Sequence, residues 1–215
     1  MDPFDAAAVR AAYDVAAEDY AEAFADDLLR LPVDRAVLDS VAERLGGSSP
    51  VLDLGCGPGQ VGKYLTERGL RVVGLDLALQ MLFVARRRTG NYSLACGDMR
   101  SAPFGSESFS GVVAFYSIHH LPRSALGATL TEIRRILKPA GLLVVATHLG
   151  ESEVYSSEFL GHKIETVGGT LYGKDELPNA LENKSFDVEE VRCRDPLPNE
   201  HESKRIYVTS RLSGR

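Results

Sequence analysis

Val51-Leu52-Asp53-Leu54-Gly55-Cys56-Gly57-Pro58-Gly59 joins a short apolar run to three glycines at alternate positions. Glycines placed after a strand let the chain turn sharply and let its backbone approach a ligand closely. The helical pattern that follows, Gln60 to Glu67, presents free amides and a positive dipole end above that turn. Strand, glycine turn and helix in this order make the opening unit of an α/β sheet.

The same alternation continues outward. Arg71 to Leu75 reads as a second strand and Ala78 to Arg88 as the helix after it. Tyr92 to Cys96 is a short third strand and Phe109 to Phe115 a fourth; Leu126 to Ile136 is a helix before a fifth strand, Gly141 to Thr147. Near-continuous apolar strands separated by helices imply a parallel sheet covered on both faces. At the C-terminal end Phe186 to Arg194 and Arg205 to Ser210 read as two further strands around a Pro-containing loop, an antiparallel pair on the sheet's edge. The expectation is a doubly wound, mostly parallel, seven-stranded Rossmann-like sheet. Asp2 to Arg44 reads as two helices, with Tyr13, Tyr20 and Phe24 spaced to share a face. Leu149 to Gly173 holds five glycines and no clear periodicity, and is expected to be a lid or substrate loop. The divisions expected are a helical cap over 1–46, a cofactor-binding core over 47–148, this loop over 149–175, and a closing helix and strand pair over 176–215, all in one domain.

Three ligand chemistries compete for the glycine loop. A Walker A loop is excluded, because no Gly-Lys-Ser or Gly-Lys-Thr follows at the required spacing. Gly57-Pro58-Gly59-Gln60-Val61-Gly62 matches the dinucleotide pattern G-x-G-x-x-G, with Asp76 about 20 residues on, where a ribose-binding acid belongs. Against it, the strand already turns at Gly55, and Asp53 would repel a pyrophosphate. An acid at the strand end suits a cationic ligand.

At this point a resemblance becomes specific. Asp53-Leu54-Gly55-Cys56-Gly57-Pro58-Gly59 resembles the first motif of class I S-adenosylmethionine-dependent methyltransferases, in their broad small-molecule branch. Val73-Gly74-Leu75-Asp76-Leu77 through Met81, Gly97-Asp98-Met99, Phe109 through Leu121, and Ile136-Leu137-Lys138-Pro139-Ala140-Gly141 resemble the later motifs in order, covering Pro50 to His148. The resemblance implies a small-molecule methyl acceptor, S-adenosyl-L-methionine as cofactor and S-adenosyl-L-homocysteine as product. It implies that Gly55, Cys56, Gly57 and Gly59 wrap the methionine portion, with Asp53 beside the ammonium group. Asp76 would accept both ribose hydroxyls, a charge-assisted pair; alone, it reads equally as a helix N-cap. Leu77 and Met81 would sandwich the adenine, with Gly97, Asp98 and Met99 at its edge, although Asp98 also suits a plain turn. Tyr116, Ser117 and Ile118 would line the methyl-transfer edge, and Tyr13 and Tyr20 would belong to an N-terminal helix that lids the cofactor, although packing alone also explains two aromatics on one helical face. His119 and His120 are the candidate bases, since a neutral imidazole can take a proton near neutral pH; the bland alternative is that they shape the loop. Metal binding is not expected, because adjacent histidines on a strand end point apart.

Composition sets outer bounds. The chain has 215 residues, 44% apolar and 25% charged, with a formal charge of -6. That charge argues against nucleic acid, which needs clustered Lys and Arg. Arg86-Arg87-Arg88 and Arg134-Arg135 with Lys138 fall at helix ends, where cations complement the dipole. Three scattered cysteines make neither a disulfide framework nor a zinc site. No apolar run reaches the roughly 20 residues that span a bilayer, and the first ten residues do not form a signal peptide. The expected place is the cytoplasm, with no nucleic-acid or membrane partner; nothing in the sequence sets an oligomeric state.

Overall fold

The computed structural model describes residues 2–25, 27–47, 49–90, 93–198 and 200–214. Its centre is a seven-stranded sheet in the order β3-β2-β1-β4-β5-β9-β8. The strands are β1 Val51–Leu54, β2 Val72–Asp76, β3 Ser93–Cys96, β4 Phe109–Phe115, β5 Leu137–Leu149, β8 Phe186–Arg194 and β9 Lys204–Leu212. Only β9 runs against its neighbours, pairing antiparallel with both β5 and β8. The rest is the doubly wound parallel arrangement expected from the alternation. Tyr92, expected to open the third strand, lies outside the described residues.

Sequential strands step outward from β1 to β2 to β3, and the chain then returns to place β4 on the other side of β1. That reversal opens a crevice at the carboxyl ends of β1 and β4, where ligands bind in open α/β sheets. Helices α5 (Gln60–Glu67), α6 (Leu79–Thr89), α7 (Arg123–Ile136) and α8 (Glu176–Glu182) cover the faces. One core joins Leu52, Leu54, Val112 and Leu143 to the helix residues Leu130 and Ile133. The other joins Val51, Val113 and Val144 to Leu38 and Leu65. Alternate strand residues thus point into opposite cores, which is why these strands read as unbroken apolar runs. The Arg triplet at 86–88 and the pair at 134–135 occupy last helical turns.

Two expectations change. The described residues of Asp2 to Arg44 form four helices rather than two: α1 Ala6–Val15, α2 Ala17–Ala23, α3 Asp27–Arg30 and α4 Pro32–Leu45. The chain leaves helical geometry at Ala16 and Phe24, and Pro32 opens α4 at a position where a missing N–H costs nothing. Tyr13, Tyr20 and Phe24 still share a face, with ring centroids 5.8 and 4.5 Å apart.

The presumed loop at 149–173 is instead an antiparallel hairpin of β6 Glu153–Phe159 and β7 His162–Thr170. Its turn residues Leu160 and Gly161 both have positive φ, 48° and 81°, as a type I′ hairpin turn requires. The fifth strand also starts earlier than expected, at Leu137, by absorbing a bulge opposite Phe109–Gly111.

The hairpin is fastened to the N-terminal helices. The Gly168 amide donates to Pro3 O at 2.6 Å, and the Phe159 ring lies 5.0 Å from Tyr13. His162 Nε2 is 2.7 Å from Asp19 Oδ2. The cap roofs the crevice, and the hairpin packs behind it on α1 and the Ile118–His120 turn.

Candidate active site

Beneath that roof is a cavity of about 1340 Å³, counting the open solvent at its mouth. The β1–α5 turn forms its floor. Gly55 and Cys56 donate their amides to Leu75 O at 2.8 and 3.0 Å, which pins the turn to β2. The φ of Gly55 is +73°, and a Cβ there would stand 2.3 Å from Ser117 Cβ. At Gly57 φ is +51° and a Cβ would meet nothing within 4 Å, so the space above that residue is open to a ligand. Gly59, at φ +87°, opens α5 and does not line the cavity.

Two carboxylates face this turn. Asp53 is buried on β1 near the Gly62 amide, and its Oδ2 has no partner. Burial above all, helped by the charge of Asp76, pushes its pKa up to about 7. Asp76, at the end of β2, accepts from Gly57 N at 2.7 Å and from Ala78 N at 2.8 Å. It is therefore both a brace for the loop and a cavity-lining acid, since each oxygen keeps a second lone pair. Burial raises its pKa, and those two amides oppose the rise. The amide of Gly57, which a dinucleotide phosphate would need, is thus taken by a carboxylate, and two acids flank the place where the phosphates would lie. The loop suits a cation.

Further along the cavity stand Leu77, Met81, Gly97, Asp98 and Met99. Asp98 also caps the short 3-10 turn Met99–Ser101 and takes a bidentate pair from Arg100, with contacts of 2.6 to 3.0 Å. Burial would raise its pKa, but the Arg100 guanidinium more than offsets this and holds it low.

The segment Tyr116 to His120 divides. Tyr116 (φ 51°), Ser117 and His120 line the cavity, whereas Ile118 is in the core and His119 is turned away. Ile118–His120 is a 3-10 turn, in which residues three apart eclipse; that puts Ser117 and His120 on one face. Ile118 is therefore corrected from a cofactor contact to a core residue. His119 packs 5.4 Å from His148, and its buried Nδ1 has no hydrogen-bond partner. The expectation that the two histidines point apart also fails: their ring centroids are 3.9 Å apart. Among the described residues, no group of three or more His, Cys, Asp or Glu side chains is placed to hold a metal.

His120 is held at both ring nitrogens. Nδ1 lies 3.0 Å from Gly168 O on β7, an acceptor only, so Nδ1 carries the proton. Nε2 then accepts from the Tyr13 hydroxyl at 2.7 Å. Burial pushes the imidazole down to about 4 and holds Tyr13 well above its ordinary range, so both are neutral at pH 7. Tyr20 lines the same wall. Nothing in the sequence marks Asp34, on α4, because an acid in a first helical turn reads as an ordinary dipole partner. Asp34 is instead fully buried against the cavity.

The fold and site together define a doubly wound α/β domain whose cleft is built on a glycine turn between two buried acids. Residues 51–141 match the family model described as a methyltransferase domain. A malonyl-[acyl-carrier protein] O-methyltransferase of Enterobacter lignolyticus is 32% identical over 152 residues, 71% of this chain and 58% of that protein. A demethylmenaquinone methyltransferase of Renibacterium salmoninarum is 36% identical over 114 residues, 52% of this chain and 46% of that protein. The chain thus spans about half the length of these curated relatives. Among solved structures, a Burkholderia thailandensis 1,6-didemethyltoxoflavin-N1-methyltransferase bound to S-adenosylhomocysteine superposes with a TM-score of 0.74 at 21% identity, over 97% of this chain and 88% of that one. Over residues 51–141 the chain is thus similar to methyltransferase domains, and its whole fold is similar to that of S-adenosylmethionine-dependent methyltransferases. No helix among the described residues is long and apolar enough to cross a membrane.

Proposed function

We propose that the chain transfers a methyl group from S-adenosylmethionine to an O, N or C atom of a small molecule, mainly by positioning. The observation that carries this reading is the orphaned, buried Oδ2 of Asp53 beside the glycine turn, with Asp76 across from it. A buried carboxylate without a partner is costly unless a ligand supplies one. Asp53 and the Gly55–Gly57 backbone would hold the methionine portion, and Asp76 the ribose hydroxyls. Leu77, Met81, Gly97, Asp98 and Met99 would enclose the adenine.

When bound, S-adenosylmethionine supplies a methyl group on a positively charged sulfur, so the protein's work is alignment and exclusion of water. The cap would exclude water, and the hairpin would hold the cap and His120 in place. Tyr116, Ser117 and His120 border the place where an acceptor would stand, and His120 Nε2 would take the acceptor's proton in place of the Tyr13 hydroxyl. The relatives' names carry both O- and N-methylation, and this chain's acceptor atom is open to either. A screen of small-molecule acceptors by mass spectrometry tests the reading: methylated product with matching S-adenosylhomocysteine supports it. Cofactor binding with no product from any acceptor would mark a non-catalytic member of the fold.

Two expected results arise here. Asp76→Ala should weaken cofactor affinity by about 1–3 kcal/mol, the cost of losing bonds to a charged group, read by calorimetry beside Asp76→Asn. Unchanged affinity in the folded variant would remove the ribose assignment. The second is a pH effect. Asp53, near 7 when free, must be ionised to meet an ammonium group, so binding releases its proton and weakens as pH falls. Affinity should be about tenfold lower at pH 6 than at pH 8, and Asp53→Asn should flatten the profile. A flat profile in the unmodified protein would contradict the pairing.

A further inference from the structure

The cavity has a second end, away from the adenine side. Phe24, Leu28 and Leu31 line it from the α2–α4 segment, and Phe115 and Tyr116 from the end of β4, with Asp34 behind them. The walls are aromatic: Tyr20 and Phe24 rings lie 4.5 Å apart, Phe115 and Tyr116 6.2 Å apart.

The charges behind this lobe already cancel. Asp34 accepts from the Tyr207 hydroxyl and, at 3.2 Å, from that of Tyr116; Arg194 stands 3.6 Å away. Arg194 is held by Glu200 at 2.5 and 2.8 Å, and Arg205 lies 3.5 Å from Glu200. Two acids therefore face two guanidinium groups. Among the described residues that line the cavity, the Lys and Arg side chains are Arg10 and Arg100, both near the adenine end. They pair with Asp14 at 3.8 Å and Asp98 at 2.6 Å. A carboxylate or phosphate in the lobe would be stripped of water against Asp34 without a counter-ion. A protonated amine has no lone pair with which to accept a methyl group.

Proton counting gives the polarity of the contact. A tyrosine hydroxyl has one proton; with that of Tyr207 on Asp34, that of Tyr116 goes to Asp34 or to the Tyr207 oxygen 3.1 Å away. The Tyr116 oxygen is left as an acceptor, so a ligand must bring the N–H or O–H. We propose that this lobe is the methyl-acceptor subsite, and that it takes a neutral aromatic or heteroaromatic ring whose hydroxyl or N–H donates to the Tyr116–Asp34 pair. This rests on the methyl-transfer reading and narrows it, excluding phosphorylated and carboxylate-bearing acceptors.

The test uses the full chain saturated with S-adenosylhomocysteine and three probes of one shape: 2-naphthol, 2-methoxynaphthalene and 2-naphthoate. Calorimetry should give 2-naphthol a Kd about tenfold below that of either other probe, the scale of one hydrogen bond. Tyr116→Phe should bring 2-naphthol level with 2-methoxynaphthalene. Leu28→Trp, which fills the lobe without touching the glycine turn, should weaken 2-naphthol about tenfold or more and leave the affinity for S-adenosylhomocysteine unchanged. The proposal is overturned by 2-naphthoate binding as tightly as 2-naphthol, by none of the probes binding, or by indifference of 2-naphthol to Leu28→Trp. Failure of S-adenosylhomocysteine itself to bind would instead sink the methyl-transfer reading, and is seen before any probe is added.

Discussion

His120→Ala is expected to lower kcat/KM for methyl transfer by about 10²-fold while leaving the affinity for S-adenosylmethionine within about threefold. General bases contribute roughly 10²–10⁴, and the low end applies because burial holds this imidazole near 4, well under a working pH of 7. What favours it is geometry. Its proton sits on Nδ1 against Gly168 O, and Nε2 faces the cavity with its lone pair held only by a hydroxyl that an acceptor could displace. Tyr13→Phe frees that lone pair and should keep most of the rate. The imidazole is neutral from about pH 5 upward, so the loss in His120→Ala should be constant between pH 6 and 8. The acid limb in that range belongs to Asp53. A variant that keeps its rate within about threefold would reduce His120 to a shaper of the loop.

Gly55→Ala should cost about 2–4 kcal/mol of stability and abolish measurable cofactor binding. A side chain at positive φ costs about 1–2 kcal/mol, and overpacking about 1–3 kcal/mol. Both apply here, since φ is +73° and the new Cβ would stand 2.3 Å from Ser117 Cβ. Ser117 cannot retreat easily, because its hydroxyl donates to Leu54 O at 2.6 Å. At about 2–4 °C per kcal/mol for a chain of this size, the melting temperature should fall by roughly 5–15 °C. Gly57→Ala is the contrast. Its Cβ would enter the open space above the turn, so affinity should fall further than stability. Equal effects from the two variants would mean that the turn is plastic and the close approach at Ser117 unimportant.

What the sequence made legible is local. Asp53, the glycine turn, Asp76 and Gly97-Asp98 follow strands whose apolar runs announce themselves, and each stands at the carboxyl edge where the topology reverses. What it hid depends on distant pairing. Asp34 matters because Tyr116 and Tyr207, 82 and 173 positions away, close over it. Tyr13 was visible as a cap residue, but its bond to His120 spans 107 positions. The β6–β7 hairpin escaped notice because most of it is exposed on both faces, leaving no apolar alternation to read. Ile118 and His119 were misplaced for a smaller reason. A run taken as a strand end is a 3-10 turn, and its period of three selects Ser117 and His120 for the cavity.

A sulfonium cofactor, and not a dinucleotide, is expected to sit on the Gly55–Gly57 turn between Asp53 and Asp76. Calorimetric titration of S-adenosylmethionine at pH 7, repeated in two buffers of different ionisation enthalpy, tests it directly. The account predicts saturable binding with about half a proton released per site, and no release from Asp53→Asn. Absence of heat with S-adenosylmethionine and S-adenosylhomocysteine, together with binding of NADH or NADPH, would contradict it.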